Sequence, residues 1–265
     1  MTEAPPTEQP TTGLPHDRTA VVTGAGSVRG IGRQAAARLA RAGWSVAILD
    51  IDAEGAADTA RSLGAEYGVT TLGVGADLTD PDAVDVAVSV VEGRLPPVVG
   101  LANIAGRSSP TPFLDVTPDE WDRVFAVNLR SAFLVSQRVL PSMLAQRVGR
   151  IVSVSSVSAQ RGGGTYSTVA YSAAKAGLIG MSRALAREVS PLGVTVNCVA
   201  PGPVDTDIFG GPLSDDRRAA MSAQALVPRV ATAHEVAALI AFLMGPDASY
   251  ITAATYDING GLQIS

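Results

Sequence analysis

Seven short apolar runs, each separated from the next by a stretch long enough for a helix, constrain this chain more than any other feature. The runs are Thr19–Thr23, Ser45–Asp50, Thr71–Asp77, Val98–Asn103, Arg150–Ser156, Val194–Val199 and Ala254–Ile258. Most are near-continuous in Val, Ile, Leu and Ala, without the polar alternation of a half-exposed strand. Such strands need both faces covered, which a parallel sheet between helices provides. Ile31–Ala42, Ala53–Ala65, Pro81–Glu92, Val169–Val189 and His234–Met244 read as helices. Pro118 to about Gln146 reads as one long helical region, bent near Pro141. The alternation predicts a single-domain α/β fold with a doubly wound parallel sheet of about seven strands. No composition break marks a second domain.

Composition removes several functions. Hydrophobic residues make up 46% of the chain and charged ones 17%, enough for a large core. The net charge is −5 and no long Lys/Arg run occurs, which argues against a nucleic-acid surface. A single cysteine, Cys198, and two distant histidines, His16 and His234, leave no expected metal site or disulfide framework. No segment reaches the about 18 apolar residues of a membrane span, and the expected compartment is the cytoplasm. Residues 1–16 carry prolines at 5, 6, 10 and 15 among threonines and predict a flexible arm.

The first strand runs into Thr23-Gly24-Ala25-Gly26-Ser27-Val28-Arg29-Gly30-Ile31-Gly32, and a helix follows directly. Glycines at such a turn let the backbone approach a pyrophosphate seated on the helix N-terminus, as in Rossmann-type dinucleotide folds. Asp50 ends the second strand, 26 residues after Gly24. A carboxylate there can accept both ribose hydroxyls of an adenosine and would repel a 2′-phosphate. Asp77 either contacts the adenine amino group or caps the next turn.

Tyr171 and Lys175 stand four apart in a predicted helix and therefore share a face. A free phenol titrates near 10, and an adjacent ammonium favours the phenolate, lowering that value toward working pH. A hydroxyl from Ser155, Ser156 or Ser158 would position a carbonyl or alcohol oxygen against the tyrosine. This is a proton-transfer site for carbonyl/alcohol chemistry.

From about Arg18 onward the chain resembles the short-chain dehydrogenase/reductase (SDR) family. The likeness rests on the glycine turn Thr23–Gly32, Asp77-Leu78, Asn103-Ile104-Ala105-Gly106, Asn128, the Ser…Tyr171-x-x-x-Lys175 constellation, and Asn197 to Pro201-Gly202. The resemblance implies Tyr171 as acid/base and Lys175 as nicotinamide-ribose ligand and pKa modulator. It implies Asn128 as holder of a relay water and Ser156 as the catalytic serine. Gly24, Ser27, Arg29, Gly30, Ile31, Asp50, Ile51, Asp77, Leu78, Asn103, Ala105 and Gly106 would cradle the cofactor, with Pro201, Gly202, Val204 and Thr206 around the nicotinamide. The glycine turn carries two extra residues, Ile104 replaces a usual Asn, and Ser156 and Tyr171 stand 15 apart, so the Gly162–Gly164 loop absorbs an insertion.

Arg29, just before Gly30, marks NADP enzymes in this family, whereas Asp50 followed by Ile51 marks NAD enzymes. A carboxylate beside a 2′-phosphate is strongly repulsive, so NAD is the expected cofactor. The expected activity is NAD-dependent interconversion of a secondary alcohol and a ketone, with a substrate lid at about 203–230 and a homotetrameric assembly. The alternatives are an NADP-dependent carbonyl or 3-oxoacyl-thioester reductase, and a non-catalytic dinucleotide-sensing scaffold. A hydrolase would need a nucleophile elbow, and Gly180-Met181-Ser182-Arg183-Ala184 lacks its final glycine.

Overall fold

The computed structural model describes residues 13–164 and 166–264. Nine strands and nine α-helices follow one another among these residues. The main elements begin with β1 (Thr19–Thr23), α1 (Ile31–Arg41), β2 (Ser45–Asp50), α2 (Ala53–Tyr67), β3 (Thr71–Gly75), α3 (Pro81–Glu92) and β4 (Val98–Asn103). Next come α4 (Pro118–Phe125), α5 (Ser131–Gln146), β5 (Gly149–Val154), the single turn α6 (Ser158–Arg161), α7 (Val169–Val189) and β6 (Val194–Pro201). The chain continues with β7 (Val204–Asp205), α8 (Asp215–Ser222), β8 (Ala231–Thr232), α9 (Ala233–Leu243) and β9 (Thr255–Ile258).

Seven strands form one parallel sheet in the order β3-β2-β1-β4-β5-β6-β9, as the apolar runs predict. Successive side chains point to opposite faces. Ala20 and Val22 join α1, α2 and α9 in one core, while Val21 packs with α3, α5 and α7 in the other. Each fully buried Val or Leu contributes roughly 1.5–3 kcal/mol, so these two layers dominate the stability. Helix starts follow local chemistry: Asp52 caps α2 and Asp80 caps α3, while Thr232 and Glu235 form a capping box on α9.

Two expectations change. The long helical region runs through Pro141 inside α5, and its irregularity lies instead at a π-turn over Ala126–Arg130. That turn is held by Asn128, whose side chain bonds Val124 O and the backbone of Arg107. Of the arm expected over residues 1–16, residues 1–12 lie outside the described residues. Its end joins the fold: Leu14 packs against the core, and Arg18 bonds Pro15 O while stacking 4.7 Å over Trp44.

Among the described glycines the tightest approach joins α1 to the turn after β1. A Cβ on Gly32 would stand 2.3 Å from the carbonyl oxygen of Gly24, where no side chain can yield. Gly32→Val is therefore expected to destabilise the chain by about 3 kcal/mol or more. An unchanged urea midpoint would contradict this packing.

Candidate active site

The strand order reverses between β1 and β4, which opens a crevice at the carboxyl ends of the strands. Thr23 ties its two walls together: its hydroxyl oxygen accepts the N–H groups of Ile104 at 2.9 Å and Ala105 at 3.1 Å. The contact uses the backbone of residue 104, so a side-chain Asn there is dispensable to it. Gly24 has φ +70°, and a Cβ on it would meet Ala105 Cα at 2.7 Å. α1 then starts at Gly30 with no side-chain cap and no acid in its first turn, so its leading N–H groups suit an anion.

A cavity of about 800 Å³ lies in this crevice. Gly24, Ser27, Gly30, Ile31, Asp50, Ile51, Asp77, Leu78, Ala105, Gly106 and Thr206 all line it. This bare-backbone cradle, with an uncapped helix start, fits a nicotinamide dinucleotide. Asp50 Oδ2 accepts from Gly26 N at 2.8 Å, and its Oδ1 accepts from Asp52 N at 3.0 Å. Asp77 accepts from the backbone and hydroxyl of Thr79, which hold its carboxyl below the usual range. Asp80 takes the helix-capping role. Asn103 and Arg29 depart from expectation. Asn103 is buried and donates to Ser136 Oγ at 3.0 Å, serving as a strut beneath the cavity. Arg29 pairs with Asp205 at 2.5 Å and Asp207 at 3.4 Å.

A second cavity of about 490 Å³ adjoins the first along Ile31, Ser108, Tyr166, Thr206 and Ile208. Ser156, Tyr171, Pro201, Gly202 and Val204 line it. The three candidate serines now separate. Ser155 Oγ donates to Lys175 O at 2.8 Å, fastening β5 to α7. Ser156 Oγ accepts the Ser158 N–H at 3.1 Å and hydrogen-bonds the Tyr171 hydroxyl. Ser156 is thus the serine paired with the tyrosine; Ser158 contributes its backbone. Lys175 Nζ donates to Val154 O at 2.8 Å and lies 5.8 Å from the Tyr171 ring centroid. A Cβ on Gly106 would meet Asn128 Oδ1 at 2.8 Å and Lys175 Nζ at 3.1 Å, so all three converge on one point.

Other groups at the site were weakly marked in sequence. Leu213, Met221 and Val230 form a small separate core under Tyr166, with Met221 also facing the second cavity. Ser108 Oγ donates to Tyr166 O, closing the junction between the cavities. Asp205 and Asp207 stand out only once the chain folds, because their partners Ser27 and Arg29 lie about 180 residues earlier.

The electrostatics differ from the sequence expectation. Burial pushes the Tyr171 phenol up to about 12, against a smaller lowering by Ser156, so the phenolate is disfavoured. Burial brings Lys175 down from 10.5 to about 8. Desolvation of both groups outweighs the attraction expected between ammonium and phenolate. Between about pH 8 and 10.5 the unfolded chain therefore binds more protons at Lys175 than the folded chain, and stability rises with pH across that window. Lys175→Met is expected to flatten this rise in urea melts. An unaltered pH slope would contradict the buried amine.

Comparison with known proteins agrees with this geometry. The family described as Enoyl-(Acyl carrier protein) reductase matches residues 24–263. The uncharacterized short-chain type dehydrogenase/reductase y4mP of Sinorhizobium fredii is 40% identical over 93% of this chain and 98% of its own. The 3-oxoacyl-(acyl-carrier-protein) reductase FabG of Salmonella typhimurium is 39% identical over 92% of this chain and 96% of its own. Among solved structures, a blue fluorescent protein from a metagenomic library in complex with NADPH aligns with TM-score 0.84 and 34% identity. That alignment covers 93% of this chain and 98% of the other. The NADPH complex overturns the choice of NAD built on Asp50. Each Asp50 oxygen accepts one backbone N–H inside the turn, from Gly26 and from Asp52, which offsets part of its negative charge and so weakens the repulsion of a 2′-phosphate on which that choice was built. With its motifs in order, its sheet in the dinucleotide-binding topology and these likenesses along its length, the chain belongs to the short-chain dehydrogenase/reductase family of oxidoreductases.

Proposed function

We propose that this protein is an NADPH-dependent reductase of 3-oxoacyl thioesters, converting the 3-oxo group to a 3-hydroxyl. The observation that carries the reading is the Ser156–Tyr171 hydroxyl pair in the second cavity, with the phenol held protonated by burial. A protonated phenol suits carbonyl reduction, which consumes a proton, better than alcohol oxidation, which needs a base. The likeness to a 3-oxoacyl-(acyl-carrier-protein) reductase supports the substrate class. The likeness to a protein solved in complex with NADPH supports the cofactor.

Bound NADPH would supply the hydride for the carbonyl carbon. Ser156 and Tyr171 would donate hydrogen bonds to the carbonyl oxygen and stabilise its developing negative charge. Tyr171 would then give its proton to that oxygen. Lys175, brought to about 8, can exchange protons near neutrality and so return one toward Tyr171, with Asn128 placing a relay water beside it. The segment over 203–230 would serve as lid, since Thr206, Ile208 and Met221 wall the second cavity.

Initial rates of nicotinamide oxidation, with 3-oxoacyl thioesters and simple ketones offered to NADPH and NADH, test this reading. Turnover of the thioesters with preference for NADPH is expected. Tyr171→Phe should retain dinucleotide binding and lose activity by about 10²-fold or more. Full activity in that variant would refute the proton donor, and thioester turnover confined to NADH would refute the cofactor. Assembly as a homotetramer is supported by the family resemblance and by exposed Phe113, Leu114 and Phe133. Sedimentation at four chain masses is the expected outcome, and a monomer would refute it.

A further inference from the structure

Two carboxylates reach the glycine turn from the segment that follows β6. Asp207 Oδ2 accepts the Ser27 hydroxyl at 2.7 Å, and its Oδ1 lies 3.4 Å from Arg29 Nε. Asp205 Oδ1 pairs with Arg29 Nη2 at 2.5 Å, and its Oδ2 with Arg218 Nη2 at 2.7 Å. Ser27 and Asp207 both line the 800 Å³ cavity. Thr206 caps the short turn Asp207–Phe209 and sets where Asp207 stands.

The two acids are not equivalent. Asp205 is gripped by two guanidinium groups, and the Arg218 hydrogen bond chiefly holds its carboxyl below the usual range. It is a structural anchor that aims Arg29 toward the overhanging segment. Asp207 is more open, at 39% side-chain exposure against 24%, and has one oxygen on a hydroxyl and the other near a guanidinium. Hydroxyl and guanidinium donors arranged in this way are those a phosphate recruits.

We propose that Asp207 is an internal competitor for the dinucleotide's phosphate. Its carboxylate must release the Ser27 hydroxyl before a phosphate can take it, and its charge in the cavity opposes that phosphate, so it sets dinucleotide affinity. The proposal rests on the dinucleotide-binding reading given above.

Asp207→Asn keeps the shape and removes the charge, and Asp207→Ala also removes the bond to Ser27. Direct titration of NADPH fluorescence at low salt is expected to show binding about three- to ten-fold tighter than wild type in both variants, with the gain shrinking as salt is raised. NADH titrated in parallel identifies the phosphate. Equal tightening of both dinucleotides points to the pyrophosphate, and tightening of NADPH alone to the 2′-phosphate; either result supports the competition. Unchanged or weaker binding in both variants, with wild type binding normally, overturns the role of Asp207 and leaves the proposed function standing. Absence of any dinucleotide binding by wild type overturns both. Melts without dinucleotide check that the variants are folded.

Discussion

Everything at the carboxyl edge of the sheet depends on how closely α1 can approach the end of β1. The contact is backbone against backbone, with Gly32 over the Gly24 carbonyl and Gly24 against Ala105, and a Cβ at either place has nowhere to go. Because α1 sits so low, its uncapped N-terminus opens onto the crevice. Thr23 then couples the end of β1 to the loop after β4, and Gly106 in that loop lets Asn128 and Lys175 come together behind it. A chain of close approaches thus runs from the glycine turn to the proton-transfer groups. Its links up to Gly106 are glycine backbone and small side chains.

Burial, more than charge pairing, sets the protonation of Tyr171 and Lys175. Tyr171 and Lys175 lie on a helix face pressed against β5, where the Ser155 hydroxyl and the Val154 carbonyl hold the lysine's backbone and amine. In that dry setting both charged forms are penalised. The phenol moves up to about 12 and the amine down to about 8. The pair therefore holds a protonated phenol beside an amine that titrates near neutrality. At the opposite end of the crevice the balance is reversed: Arg29, Arg218, Asp205 and Asp207 remain partly exposed and pair as ions, tying the overhanging segment to the glycine turn.

The fold was legible because its signals are local and repeated. Short β-branched apolar runs bounded by turn residues read as strands covered on both sides, and helical segments between them favour a parallel order. Tyr171, Lys175 and the glycine turn are each common patterns when taken singly; what made them readable is their order along the chain with Asp77-Leu78, Asn103–Gly106, Asn128 and Asn197–Gly202, which carries the family resemblance. The break in the long helix was misplaced at Pro141 because proline is the visible helix breaker, whereas the π-turn at Ala126–Arg130 is held by Asn128 reaching the distant Arg107 backbone. The cofactor choice failed for a related reason. Asp50 reads in sequence as a bare charge that repels a 2′-phosphate, yet backbone N–H groups of Gly26 and Asp52 offset part of that charge.

By itself the amino-acid sequence determined the α/β architecture and the family, the first through apolar runs alternating with helical stretches and the second through short motifs that keep their order along the chain. Only the tertiary structure decided which serine meets Tyr171, which strut Asn103 provides, how burial ranks against charge at Lys175, and that Asp205 and Asp207 close on Ser27 and Arg29. Those outcomes depend on distances between residues tens to nearly two hundred positions apart and on how much water the fold leaves around them, quantities that no local spacing encodes.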